Sequence, residues 1–275
     1  MSEEQQEQQE RVRVQVGDDG VAVVTLMRGA KHNALDLAMF EQIVGAAGQL
    51  RDAPGVRAVV LHGEGKSFCS GLDVVSMMQS GRLTADQLVA REGEDGLANL
   101  PQRAAFDWIQ VKAPVIVAIH GNCFGGGLQI ALGGDIRIAA PDARLSIMET
   151  RWGLVPDMGI TQTLPRLMPI DRAKELTFTG RVVSGAEAAE LGLVTRTADD
   201  PLAAALELAT EIAGKSPDAT RRAKRLYEET WVSDDRAAAL LMESELQAQL
   251  IGGQNQIAAV TAGMSGEPPV FVDPS

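Results

Sequence analysis

Four short runs of β-branched and apolar residues constrain this chain more than any other feature: Val21–Leu26, Val56–Leu61, Pro114–Ile119 and Ile136–Ala140. Each has the length of a strand and is bounded by turn residues. The middle two lack the alternation of a half-solvated strand, so they are expected to be buried on both faces. Helical stretches lie between the runs. Leu37–Asp52 carries Phe40, Val44 and Leu50 at near-helical spacing, and Gly127–Gly133 opens behind a glycine run. Strand alternating with helix predicts an α/β fold. From Pro169 the strand runs almost vanish, and stretches such as PLAAALELATEIAG and DRAAALLMESELQAQL predict a helical C-terminal region. Its Leu and Met positions fit a core or a subunit interface better than a ligand site. The expected organisation is a disordered acidic N-terminus over 1–10, a core over 11–200, a helical region over 201–264 and a flexible tail over 265–275.

Composition removes several function classes. The 275 residues are 45% hydrophobic, enough to bury an ordinary core. Lys and Arg total 25 against 37 Asp and Glu, a net charge of −12, which repels nucleic acid and anionic membrane surfaces. No apolar run approaches a membrane span, and the N-terminus MSEEQQEQQE is acidic where a signal peptide is basic, so a cytoplasmic location is expected. Cys69 and Cys123 have no nearby Cys or His at metal-ligand spacing and read as small buried apolar residues.

Familiar signatures fail on spacing. Gly65-Lys66-Ser67 ends like a phosphate loop, but the required partner glycine falls on Val60. Gly121 and Gly125–Gly127 are not spaced as a dinucleotide fingerprint, there is no G-x-S-x-G elbow, and His32, His62 and His120 show no zinc-ligand spacing. What remains is Gly125-Gly126-Gly127 between a strand and a helix start. Such a turn serves either tight packing or close approach of a ligand to free backbone N–H groups, a natural site for a developing oxyanion. Phe68-Cys69-Ser70-Gly71-Leu72-Asp73 is a second small-residue turn behind an apolar strand. The segment Glu149–Gly159 sets Glu149 and Asp157 eight residues apart among Trp, Leu, Val, Pro and Met. Carboxylates there either lie on a solvated face, with Arg151 as a partner, or are buried enough for proton transfer near neutral pH.

These segments in series, together with Pro114–Gly127, Asp135-Ile136-Arg137, Leu176–Gly180 and Ala188–Val194, resemble the crotonase (enoyl-CoA hydratase/isomerase) superfamily over roughly residues 12–265. The resemblance implies a spiral of ββα units followed by a helical region that packs homotrimers, often paired into hexamers. It implies an acyl-CoA thioester as substrate, with its carbonyl between the N–H groups of Leu72 and Gly126, and calls for no cofactor or metal. By the same resemblance Arg28, Lys31, His32 and Ala34 lie in the CoA entry segment, and Ser70, Gly71, Asp73 and Gly125 complete the substrate-binding set. Arg28, Lys31 and Lys66 would form a basic patch for the phosphates. Val74–Asn99 would be a mobile helical loop shaping the acyl pocket.

The superfamily shares enolate stabilisation but not one reaction, so the acid–base positions decide function. Hydratases use two glutamates, and the matching positions here hold Gln129 and Glu149. Gln cannot exchange protons as a carboxylate does. Asp157 stands where hydratases usually carry glycine and resembles the dienoyl-CoA isomerase branch, although that branch has Asp at the position of Gln129. The expectation is a 3,5-dienoyl-CoA to 2,4-dienoyl-CoA isomerase using Glu149, Asp157 and Gln129. The alternatives are an enoyl-CoA hydratase and a non-catalytic acyl-CoA-binding member.

Overall fold

A computed structural model describes residues 10–80, 86, 89–91 and 96–274. The element order is β1 (Val12–Val16), β2 (Val21–Leu26), α1 (Leu37–Arg51), β3 (Ala58–Gly63), α2 (Val74–Ser80), α3 (Leu100–Gln110), β4 (Val115–Ile119), β5 (Asn122–Phe124), α4 (Gly126–Leu132), β6 (Ile136–Ala139) and β7 (Arg144–Ser146). There follow α5 (Ile160–Thr163), α6 (Ile170–Thr179), β8 (Val183–Ser184), α7 (Gly185–Leu191), β9 (Arg196–Thr197), α8 (Pro201–Ala213), α9 (Pro217–Thr230), α10 (Arg236–Leu250) and α11 (Gln254–Ser265). A larger sheet runs β1-β2-β3-β4-β6-β9 and a smaller one β5-β7-β8. In the larger sheet only β1 and β2 are antiparallel; every other pairing is parallel.

The unbroken apolar runs have a plain cause. On one face of the larger sheet Val59, Leu61, Val115, Val117 and Ile119 join the core with Met39, Phe40, Ile43 and Leu50 of α1 and Trp108 of α3. On the other, Ala58, Val60, Ile116, Ala118 and Ile138 meet Ala205, Ala209 and Ala213 of α8. Successive strand residues point to opposite faces, so a strand between two helical layers must be apolar at both parities. The alanine face lets α8 lie close against the sheet. This corrects the expected boundary at residue 200: α8 is a layer of the core, and it is α9, α10 and α11 that extend beyond it. Lys224 on α9 is buried and reaches back to the Asp135 carboxylate at 2.8 Å, with further hydrogen bonds to Trp108 O and Ala113 O.

β1 escaped the apolar-run reading because Arg13 and Gln15 interrupt it; as an edge strand it needs apolar residues on one face only. The C-terminal segment, expected to be a flexible tail, is tied down: Val272 N–H donates to Asn255 Oδ1, Asn255 Nδ2 donates to Val272 O, and Arg57 donates to Phe271 O. The N-terminal expectation falls, apart from Glu10, outside the described residues, as does much of the Val74–Asn99 loop beyond α2. No helix among the described residues is long and apolar enough to cross a membrane.

Candidate active site

The turn over residues 68–73 is held by backbone bonds from three directions. Phe68 N–H donates to His120 O, Cys69 N–H to Asn122 O and Ser70 N–H to His32 O, while Phe124 N–H returns a bond to Cys69 O. Leu72 pairs with Leu35 in a parallel bridge whose bonds run from Leu35 N–H to Gly71 O and from Asp73 N–H to Leu35 O. A parallel bridge of this form does not use the N–H of its central residue, so that of Leu72 has no acceptor among the described residues. Gly126 begins α4, where an N–H has no intrahelical partner.

Glycine is required where these turns meet. Gly71 has φ +88°, and a Cβ there would lie 2.8 Å from Phe124 O and 3.8 Å from Gly126 N. At Gly127 a Cβ would lie 2.6 Å from Cys69 O. The two turns carrying Leu72 and Gly126 are therefore in contact, as a two-donor oxyanion site demands.

The carboxylate loop reaches the same point. A Cβ on Gly125 would lie 3.4 Å from Glu149 Oε1, and one on Gly126 would lie 2.8 Å from Met158 Sδ. Glu149 is buried, and Gln129 Nε2 donates to its Oε1 at 2.7 Å. Gln129 Oε1 in turn accepts Met158 N–H at 2.8 Å. Glu149 Oε2 is buried with no hydrogen-bond partner among the described residues. Burial raises the Glu149 carboxyl above its ordinary range and the Asp157 charge adds to this, against hydrogen bonds from its own backbone and from Gln129. Asp157 is exposed on the loop surface, yet the protein around it displaces enough water to raise its carboxyl as well. Both groups are thus shifted toward the range useful for proton transfer.

The CoA entry segment departs from expectation. Arg28 is not presented to solvent: Nη1 donates to Asp73 Oδ2 and Ala34 O at 2.8 and 2.9 Å, and Nε lies 3.4 Å from Asp36 Oδ2. Asp36 also pairs with Arg11 and caps α1, and Asp73 accepts Ser76 N–H at the start of α2. Burial raises the Asp73 carboxyl, but Ser76 and Arg28 together outweigh that and hold it below its ordinary value. Arg28 and Asp73 therefore brace the Leu72 turn and are not free phosphate or substrate groups. Lys31 and Lys66 are exposed and no ion pair is found for them among the described residues, so the basic patch contracts to these two, with exposed His32 beside them. His32 Nδ1 is 3.0 Å from Ser67 Oγ, the His120 ring bonds Gly65 O, and His62 faces Thr25.

Asn33 was missed from sequence. It is fully buried with φ 53°, accepts Arg28 N–H, and donates to the carbonyls of Glu64, Ser67 and Phe68, fixing the entry segment to the oxyanion turn. Asn tolerates the left-handed region and mimics backbone hydrogen bonding, which was the available signal. Cys69 and Cys123 are buried, and burial pushes the Cys69 thiol up to about 12, so both fit the apolar reading. Arg137 is a buried structural residue bonded to Leu193 O and Gly134 O, and burial draws it down to about 10. Among the described residues no group of three or more His, Cys, Asp or Glu is arranged to hold a metal ion.

The chain is similar to known proteins in sequence and fold. The family profile described as enoyl-CoA hydratase/isomerase matches residues 17–265. Human enoyl-CoA hydratase domain-containing protein 2, mitochondrial, is 34% identical over 270 residues, covering 95% of this chain and 89% of its own length. Mouse methylglutaconyl-CoA hydratase, mitochondrial, is 31% identical over 98% of this chain and 85% of its own. A crystal structure of enoyl-CoA hydratase from Bacillus anthracis superposes with TM-score 0.85 at 30% identity, covering 95% of this chain and 99% of that one. The contacting Leu72 and Gly126 turns, the buried Glu149 beside them and this extent of likeness place the chain in the enoyl-CoA hydratase/isomerase family, with the crotonase fold.

Proposed function

We propose that this protein isomerises 3,5-dienoyl-CoA to 2,4-dienoyl-CoA. The observation that carries the reading is the pair of carboxyls on one loop, Glu149 buried against the Gly125–Gly126 turn and Asp157 eight residues on, both raised by burial, with Gln129 hydrogen-bonded to Glu149 in the place of a second glutamate. One carboxylate removes a proton from C2, and the electron pair passes through the adjacent carbonyl to the thioester oxygen, leaving an enolate conjugated with the C3=C4 and C5=C6 bonds. The N–H groups of Leu72 and Gly126 stabilise the extended enolate. The other carboxyl returns a proton at C6 as the C3=C4 and C5=C6 double bonds give way to C2=C3 and C4=C5, and no net charge, electron or water is gained. An oxyanion donor pair of this kind contributes about 10² to 10³ in rate per donor.

The acyl chain would run along the exposed apolar residues Leu72, Val74, Val75 and Met78, with Leu154 and Val155 of the carboxylate loop available to it. CoA phosphates would meet Lys31 and Lys66. The exposed Tyr227, Trp231, Leu240, Leu241, Ile257 and Val260 of α9 to α11 support self-association as a trimer or hexamer. Hydration of a 2-enoyl-CoA is the second reading, favoured by the hydratase names of several relatives. The two separate when the protein is offered 3,5-dienoyl-CoA and 2-enoyl-CoA in parallel, following growth of conjugated-dienoyl absorbance and loss of the enoyl chromophore. Isomerisation with little hydration is expected; efficient hydration without isomerisation overturns the proposal. Turnover of neither, with ligand-dependent stabilisation, would point to an acyl-CoA-binding role.

A further inference from the structure

Gln129 has an amide whose orientation its neighbours settle. Met158 N–H can only donate, so the amide atom facing it at 2.8 Å is the oxygen, and Nε2 faces Glu149 Oε1 at 2.7 Å. An N–H aimed at Oε1 requires that oxygen to accept. A hydroxyl oxygen is a poorer acceptor than a carbonyl oxygen, so the bond to Oε1 favours the proton of a neutral Glu149 on Oε2, the buried oxygen with no partner among the described residues. The same amide links the two halves of the carboxylate loop, since Met158 follows Asp157 directly in sequence.

We propose that Gln129 is a positioning residue: it reserves Glu149 Oε2 as the single oxygen that exchanges protons with substrate, and it fixes the Asp157 end of the loop relative to Glu149. The inference rests on the proton-transfer reading above and adds an assignment of roles within it. Gln129 itself gives up and takes no proton. It lies on α4, 99% buried, so its amide is held by packing as well as by its two partners. Among the described residues the charged group that acts on Glu149 is Asp157, through space.

Two near-isosteric variants separate the two bonds. Gln129→Glu retains an acceptor for Met158 N–H and replaces the donor to Glu149 with a second carboxyl oxygen; Gln129→Met removes both bonds. Titration of the Glu149 side chain by NMR, in protein carrying 13C-carboxyl glutamate and with the signal assigned by its loss in Glu149→Gln, reads the effect without turnover. In both variants the Glu149 midpoint is expected to rise by about one pH unit or more, because a donor to the charged form is lost and, in Gln129→Glu, a like charge is gained. Where an acyl-CoA is turned over, the acidic limb of kcat against pH follows that rise while KM stays within about twofold of the parent value, and kcat at neutral pH falls about tenfold for Gln129→Glu and further for Gln129→Met. A Glu149 midpoint unchanged in Gln129→Glu overturns the inference. Absence of dienoyl isomerisation with a shifted midpoint rejects the proposed reaction and leaves this assignment standing; an unshifted midpoint with intact isomerisation does the reverse.

Discussion

The turn at residues 68–73, proposed to carry an oxyanion donor, and the carboxylate loop at 149–159 meet at Gly125 and Gly126 but are built on opposite plans. The first is threaded by backbone bonds to His120, to β5 and to the 28–35 segment and backed by the Arg11–Asp36–Arg28–Asp73 charge ladder. The second exposes Arg151 to Val155, bonds chiefly to itself, and reaches the core through Thr150, Met158 and the Gln129 amide. The division of labour has a physical reason. Backbone donors stabilise a developing charge only if they are already aimed and need not reorganise. Carboxyls that pick up and release protons need a raised, environment-tuned affinity, which a partly desolvated loop supplies.

Substitution sharpens that contrast most strongly at Glu149. Glu149→Gln is expected to lower turnover by about 10³ while raising thermal stability at neutral pH. The native carboxyl binds its proton more tightly than the unfolded one, so folding free energy is lost as pH rises from the ordinary glutamate range through the raised native value. The gain in melting temperature should therefore be present at pH 7 and fade toward pH 4; equal gains at both would mean the carboxyl is not shifted. On the rigid side, Gly71→Ala forces a Cβ into a left-handed residue and against Phe124 O, and about a hundredfold loss of kcat with a lower melting temperature is expected. Parent-like kinetics would separate Leu72 from the oxyanion site.

A smaller effect is expected from Asp157→Asn, about ten- to a hundredfold on dienoyl isomerisation with acyl-CoA binding, measured by calorimetry, nearly intact. Unchanged turnover would remove Asp157 from the reaction and leave the loop with one working carboxyl. The smallest contrast sets Arg28 against Lys31. Arg28→Ala should lower kcat and stability together because it unbraces Asp73, whereas Lys31→Ala should raise KM a few-fold, in a salt-dependent manner, with no change in melting temperature. Reversed outcomes would return Arg28 to the phosphate-binding role that sequence assigned it.

How much was legible differs by residue. The four strand runs, α1 and the turn at Gly125–Gly127 were visible because two-sided burial and left-handed or crowded backbone leave marks on residue type. Glu149, Asp157, Leu72 and Gly126 were reached through motif order, and the fold brings their segments to one point. Arg28 and Asp73 were read as substrate-binding groups, and their pairing with each other was not visible in the chain. Asn33 and the Met158 N–H were missed because the contacts that tie their segments together span 29 to 35 residues of chain. The place of α8 was missed for a similar reason, since an alanine-rich face reads alike whether it meets a sheet or another subunit.

The sequence by itself determined which segments are strands buried on both sides, which turns must be glycine, and which carboxyls stand in apolar surroundings, because each is a local demand on side-chain size, polarity or φ. Only the tertiary structure decided that Arg28 is spent on Asp73, that α8 closes the core, and that Gln129 faces Glu149 with its nitrogen. Those are questions of which polar group finds which partner, and a partner is chosen by packing across the fold, not by neighbours in the chain.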